Sequence, residues 1–138
     1  MQSVDGRGHD DDRVTLTAHD YNFDVSQLKA GTQTVVFKNL GPAQWHFADV
    51  NVFPKGTTVP QADAEIPKLL ASNGPPPAGV TPPQEVASSQ AASTGSGNTF
   101  QLTLEPGRTD VVLCFFSDKT GGPPHAIGHK MYKVFTVS

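Results

Sequence analysis

Soft metal ligands are concentrated in one short segment near the C-terminus of the sequence. The segment from Cys114 to Met131, CFFSDKTGGPPHAIGHKM, contains the only cysteine, two of the five histidines and one of the two methionines. Cys114 ends the apolar run VVLC, His125 follows eleven residues later, and Met131 directly precedes another apolar run. A thiolate, an imidazole and a thioether are donor groups of copper sites. The segment therefore holds three candidate ligands of one metal site.

A lone cysteine has other interpretations. It cannot form an internal disulfide, and it can be a small buried hydrophobe, a reactive thiol or a metal ligand. Nucleophilic cysteines favour a helix N-terminus or an electropositive setting, whereas Cys114 lies between VVL and FF. The sequence also has no glycine-rich phosphate loop, HExxH or CxxC motif. We therefore predict no enzymatic activity.

A second imidazole for such a site must come from elsewhere in the chain. His46 lies in NLGPAQWHFADV, where a polar ring on an apolar strand needs a partner or exposure. Taken alone, His46 fits a structural histidine, but beside a Cys-His-Met segment we interpret it as a ligand. Alternation places Trp45 and Phe47 on the face opposite His46, as core aromatics, and we expect at least one of Phe115 and Phe116 in the core. His9 and His19 are not expected to bind the metal.

The apolar pattern is mainly that of β-strands. It has a period of two in several short runs and favours an all-β sandwich or barrel. The segment PQADAEIPKLLAS predicts one short helix, which Pro67 would limit to a turn or two. The predicted strands cover residues 14–18, 21–25, 32–40, 44–53, 99–104, 109–118 and 132–137.

The domain organisation follows from length and composition. A chain of 138 residues, 36% of them hydrophobic, predicts one compact domain over residues 13–138. Residues 1–12 form an acidic segment that we expect to be a flexible leader. Residues 72–98 are rich in Pro, Gly and Ser and predict a long surface loop.

Charge and hydropathy exclude two classes of partner. The net charge is −3 and the basic residues are scattered, so no basic stripe for nucleic acid is present. No apolar run reaches eighteen residues, so we predict no membrane span. The first residues, MQSVDGRGHDDDR, lack the apolar segment of a signal peptide.

The motifs that carry these features resemble those of a known family. HDYNFDV, VVFKNLGPAQWH, PPPAGV, LEPGRTDVVLCFFSDKTGGPPH and MYKVFTV together resemble the cupredoxins, the plastocyanin and azurin superfamily, and look like single-domain bacterial plastocyanin-like proteins. The resemblance implies a Greek-key β-sandwich with one type 1 (blue) copper ion per chain. It implies His46, Cys114 and His125 as equatorial ligands and Met131 as the axial ligand. It also implies that Asn39 ties the first ligand strand to the Cys-bearing loop by hydrogen bonds.

The sequence departs from the family pattern just before Met131. Similar bacterial proteins usually have GM after the histidine, whereas this chain reads PHAIGHKM and carries an extra imidazole, His129. Three interpretations are open: His129 is a surface residue, it replaces His125 as an equatorial ligand, or it competes with Met131 for the axial position.

The resemblance also implies a function. It predicts a one-electron carrier that docks a redox partner protein through a small, short-lived contact. His125 would present an exposed edge there, within an apolar rim formed by Pro123, Pro124, Ala126 and Ile127. The resemblance further implies an extracytoplasmic location. The alternatives are a module that stores, delivers or senses copper, and a metal-free interaction domain.

Overall fold

A computed structural model of the chain describes residues 13–72 and 75–138, so His9 and the predicted acidic leader lie outside the described residues. Within that range, the helices are α1 Val59–Leu70 and α2 His125–Gly128. The strands, in chain order, are β1 Arg13–His19, β2 Asn22–Asp24, β3 Gly31–Gly41, β4 Asp49–Val52, β5 Gln84–Ser88, β6 Gly97–Leu104, β7 Thr109–Leu113 and β8 Tyr132–Thr136.

The first sheet has the strand order β2-β1-β3-β6. β1 and β3 pair in parallel with Leu16 opposite Phe37, and β3 pairs antiparallel with β6. The predicted alternation is confirmed in β1, where Val14, Leu16 and Ala18 are buried between more exposed neighbours. The parallel pairing brings the C-terminal end of β1 beside the turn that follows β3. This end of the sheet carries part of the candidate site.

The second sheet has the order β5-β4-β7-β8 and is antiparallel throughout. Its central strand β7 is buried at every position because both of its faces are covered. Val112, and Cys114 just beyond the strand, belong to the core between the sheets, whereas Val111 and Leu113 belong to a second cluster with α1. The predicted all-β sandwich is confirmed.

Helix α1 is longer than the sequence predicted. Its twelve residues continue through Pro67, where the expected helix was limited to a turn or two. A capping box between Thr58 and Gln61 closes the N-terminus. Burial of Ala62 and Ile66 against the second sheet stabilises the helix across the proline, which removes one backbone hydrogen bond. Neither helix in the described part of the chain is long and apolar enough to cross a membrane.

The segment 72–98 is more structured than the predicted surface loop. Residues Gln84–Ser88 form the edge strand β5 against β4, and Ala92 forms a two-bond backbone bridge with His46. Its described side chains are mostly exposed, as expected, but Ser89 and Ala92 are buried. Backbone pairing therefore orders a segment whose composition offers little apolar surface. The prediction of a loop is wrong at β5, at this bridge and at residues 97–98, which begin β6.

Candidate metal centre

Cys114 is placed by the end of β7. It is fully buried, and its backbone amide donates to the carbonyl of Met131 at 3.2 Å, which extends the β7–β8 pairing by one rung. Its carbonyl accepts the amide of Ala126 at 2.8 Å. The segment 114–131, here called the ligand loop, is therefore closed at its base by the bond between Cys114 and Met131, and Ala126 within the loop is tied to the cysteine as well.

His125 is placed by the ligand loop folding back on itself. Its amide donates to the Phe116 carbonyl at 2.7 Å, and its carbonyl accepts the amides of His129 at 2.9 Å and Met131 at 3.1 Å. His125 also begins the single turn of α2. At the tip of the loop, Gly121 and Gly122 have φ of 94° and 103°, a conformation that side chains disfavour.

His46 reaches the site from the segment between β3 and β4. Its backbone pairs with Ala92, and Asn39 fixes the preceding turn. The side-chain nitrogen of Asn39, Nδ2, donates to the backbone carbonyls of Gln44 and Ala92, both at 2.8 Å. The Asn39 side-chain oxygen accepts the amide of Gly41, also at 2.8 Å. The Asn39 side chain thus joins the turn before His46 to the backbone of Ala92. The expectation that Asn39 bonds to the Cys-bearing loop is wrong, because the partners of its side chain are Gly41, Gln44 and Ala92.

The three side chains converge on one buried point. The Nδ1 atoms of His46 and His125 are 3.1 Å apart, and the Sγ atom of Cys114 lies 3.8 Å and 3.6 Å from them. Among the described residues these three form a group whose ligand atoms all lie within 4.8 Å of one another. All three side chains are fully buried. The structure thus brings together three of the four predicted ligands through their metal-binding atoms.

Two carboxylates, which the sequence analysis did not assign, occupy the other nitrogens of the imidazoles. Asp20 Oδ1 lies 2.5 Å from His46 Nε2, and Asp118 Oδ1 lies 2.9 Å from His125 Nε2. An ionised carboxylate can only accept, so we assign the proton of each neutral ring to Nε2, which leaves a lone pair on each Nδ1. With this assignment, neither Nδ1 can donate to the other across the 3.1 Å that separates them.

A cation bound between the two Nδ1 atoms would interact favourably with both lone pairs. Burial lowers the pKa of both His46 and His125, although hydrogen bonds to Asp20 and Asp118 oppose it, so a proton is disfavoured between the rings. Burial also raises the pKa of the Cys114 thiol. A metal ion would bind both lone pairs and the sulfur, with release of the thiol proton. The donor set suits a soft or borderline ion such as copper or zinc.

Met131 and His129 occupy different surroundings. Met131 is fully buried in the same core cluster as Cys114, next to it through the backbone rung. His129 lies outside the ligand group among the described residues: its Nε2 is 3.0 Å from Asp118 Oδ2, and its ring stacks on Tyr21. Of the three interpretations of His129, the one as a residue at the surface of the site fits these contacts best.

His125 does not present an exposed edge, which corrects the sequence-based expectation. Its side chain is fully buried because Tyr21 packs edge-on against it at 5.2 Å between centroids, and because Asp118 and His129 cover its Nε2 side. Ala126, expected in the apolar rim, is buried as well.

The exposed apolar groups lie elsewhere around the site. Trp45 is 44% exposed and stacks on Phe116 at 6.1 Å, and Phe115 and Ile127 are exposed too. The expectations that Trp45 is a core residue and that Phe115 or Phe116 is in the core are wrong. Phe47 fits its prediction, because it packs partly buried against the core. His19 lies at the end of β1, outside the ligand group.

Comparison with solved structures identifies the fold. The chain is similar to a sodium-dithionite-reduced auracyanin from the photosynthetic bacterium Roseiflexus castenholzii, with 22% identity, a TM-score of 0.55, and coverage of 92% of this chain and 97% of that one. It is also similar to auracyanin A, a "blue" copper protein from the green thermophilic photosynthetic bacterium Chloroflexus aurantiacus, with 23% identity, a TM-score of 0.50, and coverage of 91% and 99%. No protein-family model and no curated protein sequence matches the chain. The β-sandwich of this chain therefore has the cupredoxin fold that the motifs implied.

Proposed function

We propose that this protein is a one-electron carrier that holds one copper ion through His46, Cys114 and His125, with Met131 as the weak axial ligand. The observation that carries the proposal is the convergence of two Nδ1 lone pairs and one sulfur at a fully buried point. Two imidazoles, one thiolate and a distant thioether form the donor set of blue copper centres. The shared fold with auracyanin A, a blue copper protein, supports the same choice.

The residues of the chain would hold the ion in one geometry. Copper held by these residues would supply a one-electron Cu(II)/Cu(I) couple between a donor protein and an acceptor protein. Cys114, His125 and Met131 are joined directly by backbone hydrogen bonds, and His46 is held by its bridge to Ala92. Such a framework limits rearrangement of the ligands between the two oxidation states, which favours electron transfer.

The contact with a redox partner would lie over the exposed apolar groups beside the site. These are Trp45, Phe115, Phe116 and Ile127, here called the apolar patch. Trp45 directly precedes His46 in the chain, and the Phe116 carbonyl accepts a hydrogen bond from the backbone amide of His125. The apolar patch is therefore connected to both imidazole ligands. A few exposed aromatic residues suit a small, short-lived interface.

The buried ligand set favours a carrier over a module that stores, delivers or senses copper. Handing a metal ion between proteins requires ligands that a partner can reach, whereas all three ligand side chains are fully buried. His129, the residue on which a delivery role would depend, has its Nε2 engaged with Asp118.

By the resemblance to cupredoxins, we place the protein outside the cytoplasm, which fractionation of the native host would test.

Reconstitution with copper tests the proposed function. The purified protein is titrated with Cu(II) and followed by visible absorption and voltammetry. We expect binding of one equivalent of Cu(II), intense thiolate-to-copper absorption at about 600 nm, and a reversible one-electron wave in voltammetry. Cys114→Ser should lose the absorption entirely. A colourless protein that retains only Cu(I) would support delivery instead, and a protein without copper affinity would support a metal-free role.

A further inference from the structure

We propose that Asp20 and Asp118 are positioning residues of the copper site, which orient the two imidazole ligands and lower the reduction potential of the bound ion. The proposal rests on the proposed function, because it concerns the same site. Each carboxylate would accept the Nε2–H of one imidazole, hold its Nδ1 toward the metal, and favour Cu(II) over Cu(I).

Asp20 is itself fixed by the backbone around it. Its carboxylate accepts the amide of Ala43 at 2.9 Å and that of Gln44 at 3.3 Å, in addition to His46 Nε2 at 2.5 Å. Its own amide donates to the Gly41 carbonyl at 2.7 Å. The carboxylate is therefore anchored to the turn that leads into His46, and it sets the orientation of that ring.

Asp118 uses both of its oxygens at the other imidazole. Oδ1 accepts from His125 Nε2 at 2.9 Å and from the Tyr21 hydroxyl at 3.3 Å, and Oδ2 lies 3.0 Å from His129 Nε2. His129 in turn stacks on Tyr21 with 3.6 Å between ring centroids. These contacts hold the carboxylate against His125, and together with the Tyr21 ring they restrict rotation of the imidazole.

The electrostatic consequence has a definite sign. A carboxylate that accepts the N–H of a ligand imidazole makes the ring a stronger electron donor, and this strengthens its bond to the metal. Cu(II) carries one more positive charge than Cu(I), so two nearby negative charges stabilise the oxidised ion more. Both effects lower the reduction potential, and removing either carboxylate charge should raise it.

The first test measures the potential of charge-removing variants. Asp20→Asn and Asp118→Asn keep the side-chain size and one acceptor oxygen but lose the charge, and Asp63→Asn, at an exposed position on α1, is the charge-matched control. For each site variant we expect the preference for Cu(II) over Cu(I) to fall about tenfold, which is an upward shift of about 59 mV for one electron. The double variant should shift further. Site variants with the potential of Asp63→Asn would overturn the proposal.

The second test needs neither copper nor a variant. Nitrogen-15 NMR of the histidine rings in the metal-free wild-type protein should show Nε2 protonated and Nδ1 unprotonated on both His46 and His125. Nδ1 protonated on both rings would overturn the orienting role even if the copper-loaded protein is blue. The expected tautomers in a protein that binds no copper would instead defeat the proposed function and leave the orienting role standing.

Discussion

The ring of Tyr21 lies parallel to the imidazole of His129, with 3.6 Å between the ring centroids and an angle of 5° between the planes. Tyr21 also meets His125 edge-on at 5.2 Å, and its hydroxyl contacts Asp118 at 3.3 Å. Residues from the β1–β2 turn and from the ligand loop thus close one side of the candidate site together. These residues cover the side chain of His125, which is fully buried.

The first prediction concerns His129 as part of this cover rather than as a ligand. His129→Ala should keep the visible absorption of the copper-loaded protein, because its Nε2 bonds Asp118 and its ring lies outside the ligand group of the described residues. His125→Ala should lose that absorption. His19→Ala, a histidine at the end of β1, is the control. If His129→Ala bleaches the protein while His125→Ala does not, the assignment of the two residues is reversed.

The second prediction concerns access to the thiol. Cys114 is fully buried, so the metal-free protein should react slowly with a disulfide reagent. Tyr21→Ala removes the ring that covers His125 and His129, and we expect labelling to accelerate by about an order of magnitude through easier local opening. Tyr132→Ala, which removes a ring packed against the α1 cluster, is the matched control. Equal acceleration in both variants would mean that lost stability, rather than the cover, controls access.

The candidate ligands could be predicted from the sequence because local patterns locate them. Cys114 follows the apolar run of β7, and His125 and Met131 lie in the same loop, between two apolar runs that predict strands. One loop between antiparallel neighbours must bring its two ends together. His46 was assigned only because the other candidate ligands were present, and the structure brings it to them.

The carboxylates could not be predicted, because no local pattern encodes their neighbours. Asp20 reaches His46 only through the parallel pairing of β1 with β3, which sets it beside Gly41. Asp118 reaches His125 only through the fold of the ligand loop. The prediction of burial failed for a similar reason: alternation placed Trp45 and Phe47 on the face opposite His46, but it could not tell that Phe47 packs against the core while Trp45 is left exposed.

The third prediction concerns a buried carboxyl in the second sheet. Asp110 on β7 is fully buried, and neither of its oxygens accepts a hydrogen bond from a described residue. Burial raises the pKa of Asp110 to about 7, with Glu105 reinforcing this and Arg108 opposing it. The native state therefore holds this proton more tightly than the unfolded chain, whose carboxyl has a pKa near 3.8.

Stability should consequently fall as the pH rises. From about pH 4 to about pH 7 this carboxyl alone should lower the free energy of unfolding by about 1.4 kcal/mol per pH unit, with no further loss above its native pKa. Urea unfolding of the metal-free protein across this range measures the slope. Asp110→Asn should flatten it by that amount, while Asp63→Asn on α1 should leave it unchanged. Parallel profiles for Asp110→Asn and the wild-type protein would contradict the assignment.

The fourth prediction concerns Asn39, whose side chain joins three backbone groups around the His46 segment. Asn39→Ala leaves the Gly41 amide and the Gln44 carbonyl without their buried partner, and each such group costs about 1–3 kcal/mol. We expect the variant to lose about 2–4 kcal/mol of unfolding free energy and to bind copper about 10–100-fold more weakly, because His46 is less firmly placed.

Asn98→Ala is the matched control, since the Asn98 side chain also makes two hydrogen bonds to the backbone, that of Gln90, but has no described contact with His46. Chemical unfolding and competition with a copper chelator measure the two effects. Because the control should lose stability without losing copper affinity, an equal loss of affinity in both variants would show that Asn39 acts through general stability and not through the placement of His46.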